Sequence, residues 1–157
     1  MKVASFDIVF QEVPDEVTLA LNISGCPNRC PGCHSPHLRE DIGEEMTEEL
    51  LDALLGRYAS ATCVAFMGGD QAPQDVIRWA RFIRTRGRKT AWYSGRTHLP
   101  KSIDETEFLM ALDYLKLGPY EQDKGGLKSP TTNQRFYRRE NDGWKDITYR
   151  FQSRPLI

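Results

Sequence analysis

Apolar positions along the chain fall into short blocks of two periodicities. Phe6-Asp7-Ile8-Val9-Phe10 alternates and reads as a strand, and Val17-Thr18-Leu19-Ala20-Leu21-Asn22-Ile23 reads as a stronger one. Thr47-Glu48-Glu49 has the form of a helix N-cap with acids in its first turn, and Leu50, Leu51, Leu54 and Leu55 supply one apolar helical face. Thr62 to Met67 is a run of apolar, partly β-branched residues, short enough for a buried strand. Pro73 suits the first position of a helix whose apolar residues Val76, Ile77, Ala80 and Ile83 keep helical spacing and which stops near Gly87. Thr90-Ala91-Trp92-Tyr93 and Asp113-Tyr114-Leu115-Lys116-Leu117 predict two further strands. Arg135 to Arg138 and Lys145 to Arg150 flank Asn141-Asp142-Gly143 and predict a hairpin on an Asp-Gly turn.

Strand–helix alternation of this kind predicts an α/β chain with a mostly parallel sheet and crossover helices. The polar and glycine-rich segments then line up. A cysteine loop follows the strand ending near Ile23, Gly68-Gly69-Asp70 follows Met67, Ser94-Gly95 follows Tyr93, and Gly118-Pro119 follows Leu117. In a parallel sheet these are carboxyl ends of strands on one edge, where such folds bind ligands. Alone, Gly-Gly-Asp also fits a plain strand-to-helix turn; beside the cysteine loop it becomes a candidate site.

Composition narrows the classes. The chain has 157 residues, 21 Lys and Arg against 22 Asp and Glu, and a formal net charge of −1. One domain is expected, without a polybasic nucleic-acid surface. Neither an apolar run of membrane-spanning length nor an apolar signal core is visible, so the expectation is a cytoplasmic protein with no membrane partner. Charge is nonetheless segregated: Arg78 to Lys101 holds eight basic residues and no acid, and Glu40 to Gly56 seven acids and no base. Such segments are commonly solvated faces; the functional alternative is docking of an acidic electron donor such as flavodoxin on the basic stretch.

Four cysteines remain to be explained. Cys63 lies inside an apolar strand and reads as a small core residue. Cys26, Cys30 and Cys33 form C-x3-C-x2-C, and Pro27, Pro31 and Pro36 keep that stretch out of a helix. Three soft thiolates this close suit zinc or an iron–sulfur cluster. Zinc would need a fourth ligand from His34 or His37 and would make the chain an interaction module. A four-iron cluster on three cysteines would leave one iron open.

The C-x3-C-x2-C loop after one strand, with Gly-Gly-Asp after the next, resembles the radical S-adenosylmethionine enzymes. Cys30-Pro31-Gly32-Cys33, Asp7-Ile8-Val9, Ser94-Gly95-Arg96-Thr97, Leu117-Gly118-Pro119-Tyr120 and Thr132-Asn133-Gln134-Arg135 narrow the resemblance to the activating proteins of anaerobic ribonucleoside-triphosphate reductase. It spans roughly residues 6 to 137. It implies a partial, open (βα) barrel of radical S-adenosylmethionine type with a C-terminal β-hairpin, in one domain with its core at about 6–120 and the loop and hairpin at about 121–150.

The resemblance further implies that Cys26, Cys30 and Cys33 are the metal ligands of a [4Fe–4S] cluster whose fourth iron chelates S-adenosylmethionine. Gly32, Cys33, His34, Gly68, Gly69 and Asp70 would hold that cosubstrate. Reductive cleavage would give methionine and a 5′-deoxyadenosyl radical. The radical would abstract hydrogen from a glycine of the large subunit of the anaerobic reductase, the implied partner. A radical enzyme acting on another glycyl-radical protein or on a small molecule is the alternative. Two departures from the family pattern bear on partner contacts: Gln11-Glu12-Val13-Pro14 replaces a Gly-Pro-Gly stretch, and Lys116 stands where an acid is common.

Overall fold

The computed structural model of the chain describes residues 1–26, 38 and 40–152. Eight strands among them form one sheet: β1 (Lys2–Val9), β2 (Thr18–Ile23), β3 (Glu44–Glu45), β4 (Cys63–Met67), β5 (Lys89–Tyr93), β6 (Tyr114–Leu117), β7 (Arg135–Glu140) and β8 (Gly143–Asp146). Their spatial order is β3-β1-β2-β4-β5-β6-β7-β8, so the sheet has two ends and does not close. Three helices are interleaved, α1 (Glu48–Arg57), α2 (Pro73–Thr85) and α3 (Glu105–Ala111).

The centre of the sheet, β2-β4-β5-β6, is parallel; the flanking pairs are antiparallel. Connection length explains the change. Parallel neighbours need a crossover of about a dozen residues or more, and α1, α2 and α3 lie in those crossovers. Residues 10–17 are too few for one, so β1 turns back on β2. The tail hairpin forms as expected, but its second strand ends at Asp146 and a 3-10 turn follows at Thr148–Phe151. Glu140 pairs with Gly143, so Asn141 and Asp142 make the turn, with Asn141 in the left-handed region at φ 53°.

Thr47 caps α1 as expected, its Oγ1 accepting from the Leu50 amide at 3.0 Å. Helix α3 is a further element, capped by Asp104, whose Oδ1 accepts from the Thr106 amide at 2.9 Å. The helices cover one face of the sheet. Leu21, Phe66, Trp92 and Leu115 stand in register across four strands on that face. They pack against Leu51, Val76, Ile83 and Phe108, with the Trp92 and Phe108 rings stacked at 5.8 Å.

The opposite, inner face is built in rows. Ala20, Ala65 and Ala91 stand in register in the middle. Short side chains there admit the strap of residues 10–16, whose Val13 is fully buried against Cys63, Ala65 and Ala91. The row above, towards the carboxyl ends, is Asn22, Met67, Tyr93 and Lys116. It becomes the floor of a cavity.

Candidate functional site

The described residues Cys26, Gly68, Asp70 and Gly95 of the segments that the sequence placed at strand carboxyl ends meet at one edge. They surround a cavity of about 600 Å³ whose wall includes Asn22, Cys26, Met67, Gly68, Asp70, Tyr93, Gly95 and Lys116. Glu12 of the strap, Tyr120 and Leu127 of the loop after β6, Gln134 and Phe151 also line it. Cys26 is half-buried at the start of the cysteine loop. Its amide donates to the Leu38 carbonyl at 2.8 Å, and the Gly25 amide donates to the Glu40 carbonyl at 3.0 Å. The two ends of the loop are thereby tied together above β2. Gln71 braces them, its Nε2 donating to the Ser24 carbonyl at 2.8 Å.

Gly68, Gly69 and Asp70 have distinct tasks. Gly68 adopts φ +113° and lines the cavity; its carbonyl accepts from Trp92 Nε1 at 2.9 Å. Gly69 adopts φ +103°, and a Cβ there would lie 2.8 Å from Val76 Cγ2, on the helix side of the turn. Its need for glycine is accounted for by packing. Asp70 is buried and joins two strand ends. Its Oδ1 accepts from Ser94 Oγ at 2.6 Å, its Oδ2 from the Gly95 amide at 2.9 Å, and its carbonyl from Arg96 Nη2 at 3.0 Å. The carboxylate thus fixes the loop after β5 against the loop after β4.

The polar stretch Thr132-Asn133-Gln134 is a clamp on the loop after β6. Thr132 Oγ1 donates to the Gly125 carbonyl, Asn133 Nδ2 to the Pro119 carbonyl and Gln134 Nε2 to the Gly118 carbonyl, at 3.2, 2.9 and 3.4 Å. The strap is held from both sides: Tyr93 Oη donates to the Glu12 carbonyl and Lys128 Nζ to Gln11 Oε1. Burial pushes the Tyr93 phenol well above its ordinary pKa, and the Glu12 charge adds to this, so Tyr93 stays a neutral donor. Sequence reading noted Lys116 only as a departure and missed Tyr93; strand alternation from Tyr114 is the signal that places Lys116 on the inner face.

Cys30, Cys33, Gly32 and His34 lie outside the described residues. Among the described residues no group of three His, Cys, Asp or Glu side chains comes together to hold a metal. Cys63 is a core residue as expected, fully buried at the opposite end of the sheet, and burial first, then Glu16 and Asp113, push its thiol pKa far up. No described helix is long and apolar enough to cross a membrane.

The basic stretch is largely engaged within the chain. Arg84 binds Asp113, Arg86 forks onto Asp52 of the acidic segment, Lys89 binds Glu16, and Arg88 donates to the Arg86 and Ala59 carbonyls. The two charged segments therefore meet each other at Arg86 and Asp52.

A family model described as a 4Fe-4S single cluster domain matches residues 16–137 of the 157. The chain belongs to that family. The curated proteins and the solved structures gave no match. Membership indicates a 4Fe-4S cluster rather than zinc, and the three-cysteine loop lies within the matched residues. The donor chemistry fits: Cys26 opens on a strand-end cavity, and soft thiolates suit iron–sulfur clusters.

Proposed function

We propose that the chain is a radical S-adenosylmethionine activase that generates the glycyl radical on the large subunit of an anaerobic (class III) ribonucleoside-triphosphate reductase. The observation that carries this reading is the opening of Cys26 into a cavity of about 600 Å³ walled by the strand-end segments of Gly68, Gly95 and Lys116. That volume is within the roughly 300–1,000 Å³ of small-molecule sites. Cys26, Cys30 and Cys33 are the residues that would hold the cluster. When bound, the cluster supplies the single electron that splits S-adenosylmethionine into methionine and a 5′-deoxyadenosyl radical.

The chain's own residues do the holding and shielding. Gly68 brings bare backbone to the cavity wall. Asp70 fixes the loop after β5 through Ser94 and Gly95. Ile23, Met67, Tyr93, Leu127 and Phe151 give the wall an apolar part that limits water, as radical chemistry requires. A sheet that ends at β3 and β8 without closing fits a partial, open (βα) barrel, whose open side admits a glycine-bearing loop of a larger protein. Flavodoxin is the electron donor class this reading names.

The experiment is anaerobic reconstitution followed by incubation with dithionite or flavodoxin, S-adenosylmethionine and the reductase large subunit, read by electron paramagnetic resonance. A glycyl doublet on the reductase, absent with Cys26→Ala, is expected. Cosubstrate cleavage without a doublet would move the reading to a small-molecule radical enzyme. No cleavage by a protein with full iron would overturn it.

A further inference from the structure

Lys116 is the one basic side chain that is buried among the described residues, at 8% exposure. Strand register puts it there: Asn22, Met67, Tyr93 and Lys116 share the row that floors the cavity. Its ammonium donates to the Ser94 carbonyl at 3.0 Å and the Gly118 carbonyl at 2.8 Å, and it sits 5.9 Å from the Tyr93 ring centroid. Burying an ammonium is costly, and an apolar side chain of equal length would fill the same space without that cost. The other lysine in the cavity wall, Lys128, is exposed and screened by solvent.

We propose that Lys116 is a positioning charge that sets the reduction potential of the cluster held through Cys26. Each electron added makes a thiolate-ligated cluster more negative, and cluster potentials respond to nearby charge, hydrogen bonding and burial. A buried cation on the wall of the same cavity favours the reduced state. Lys116 does this while tying the loops after β5 and β6 together. The inference rests on the cluster-domain family and the cysteine loop, not on the activase reading.

The test is a potentiometric titration of reconstituted wild type, Lys116→Met, Lys116→Gln and Lys116→Arg, with iron counted in each. Gln keeps a donor for the carbonyls and removes the charge; Arg keeps the charge. Both neutral variants should show about a tenfold fall in the reduced-to-oxidised ratio at a given potential, a midpoint about 59 mV more negative, while Lys116→Arg stays at the wild-type value. Wild-type midpoints in Lys116→Met and Lys116→Gln at full iron would overturn the proposal. So would loss of iron in both with iron retained by Lys116→Arg, since the charge would then be holding the cluster rather than tuning it. A shift with no cleavage of S-adenosylmethionine would leave this inference standing and remove the activase reading.

Discussion

The two ends of the parallel strands each carry a described cysteine, and they treat it in opposite ways. At the amino end Cys63 is sealed beneath Val13, and the polar groups around it consume one another. Glu16 accepts from Lys89 Nζ at 3.0 Å and from Tyr114 Oη at 2.9 Å. Asp113 accepts from Arg84 at 2.7 Å, Arg139 at 2.8 Å and the Thr90 amide at 2.9 Å. At the carboxyl end Cys26 opens on the cavity, and Asp70, Lys116 and Gln134 are bound to backbone groups of neighbouring loops. Ion pairs at one end close the sheet; hydrogen bonds to backbone at the other tie the loops to one another around the cavity. Strand direction, not residue type, separates a structural cysteine from the proposed ligand.

The largest expected effect breaks this contrast directly. Cys26→Ala should lose the cluster, read as iron per chain and visible absorption after anaerobic reconstitution. Cys63→Ala should keep full iron and cost about 1 kcal/mol of stability, the centre of the range for point substitutions. Iron lost with Cys63→Ala and kept with Cys26→Ala would reverse the assignment of the two ends.

Next in size is the amino-end network. Asp113→Ala leaves Arg84 and Arg139 without their shared carboxylate and should lower stability by about 3 kcal/mol in urea unfolding. Iron content of the folded protein should be unchanged, because the network lies at the end away from Cys26.

At the carboxyl end the sharpest steric test is Gly69→Ala. Its φ of +103° and a Cβ position 2.8 Å from Val76 Cγ2 should together cost about 2 kcal/mol. Gly56→Ala is the counterpart, since nothing lies within 4 Å of a Cβ there. In helix α1 it should raise stability by about 1 kcal/mol. Equal effects of the two substitutions in thermal melts would mean that the turn at Gly69 is not packed as described.

Local chemistry made most of the fold legible. Thr47, the leucine face of α1, Pro73 and the β-branched runs each act over a few residues, so their elements stand where the pattern puts them. The glycine-rich segments were legible as a set because parallel strands place all their carboxyl ends on one edge. What the sequence hid depends on distant partners. Arg86 and Asp52 are 34 positions apart, and nothing local in two charged segments shows that they pair. Asn133 and Gln134 are readable as polar but not as a clamp, since Gly118 and Pro119 are on another loop. Lys116 runs against hydropathy in its strand, and the carbonyls of Ser94 and Gly118, which help make its burial tolerable, lie on other segments or beyond the strand. Helix α3 did carry a local signal, Asp104 followed by Glu107, in a segment too short for its apolar period to stand out.

The smallest expected effect is the pH dependence of the amino-end network. Burial raises the Asp113 pKa, but the hydrogen bonds from Arg84, Thr90 and Arg139 outweigh it, and the net pKa lies below the ordinary 3.8. A carboxylate with a lowered folded-state pKa binds its proton more readily in the unfolded chain. Its contribution is therefore present above the unfolded value and is lost as pH falls through the folded one. The difference in unfolding free energy between wild type and Asp113→Asn should be constant above about pH 5 and shrink only below about pH 4, near the reference carboxylate pKa. Subtracting the variant removes the other carboxylates, including Asp15 and Asp52, which titrate in both proteins. A difference that already shrinks between pH 7 and 5 would mean that it does not follow the titration of an Asp113 carboxyl with a lowered pKa.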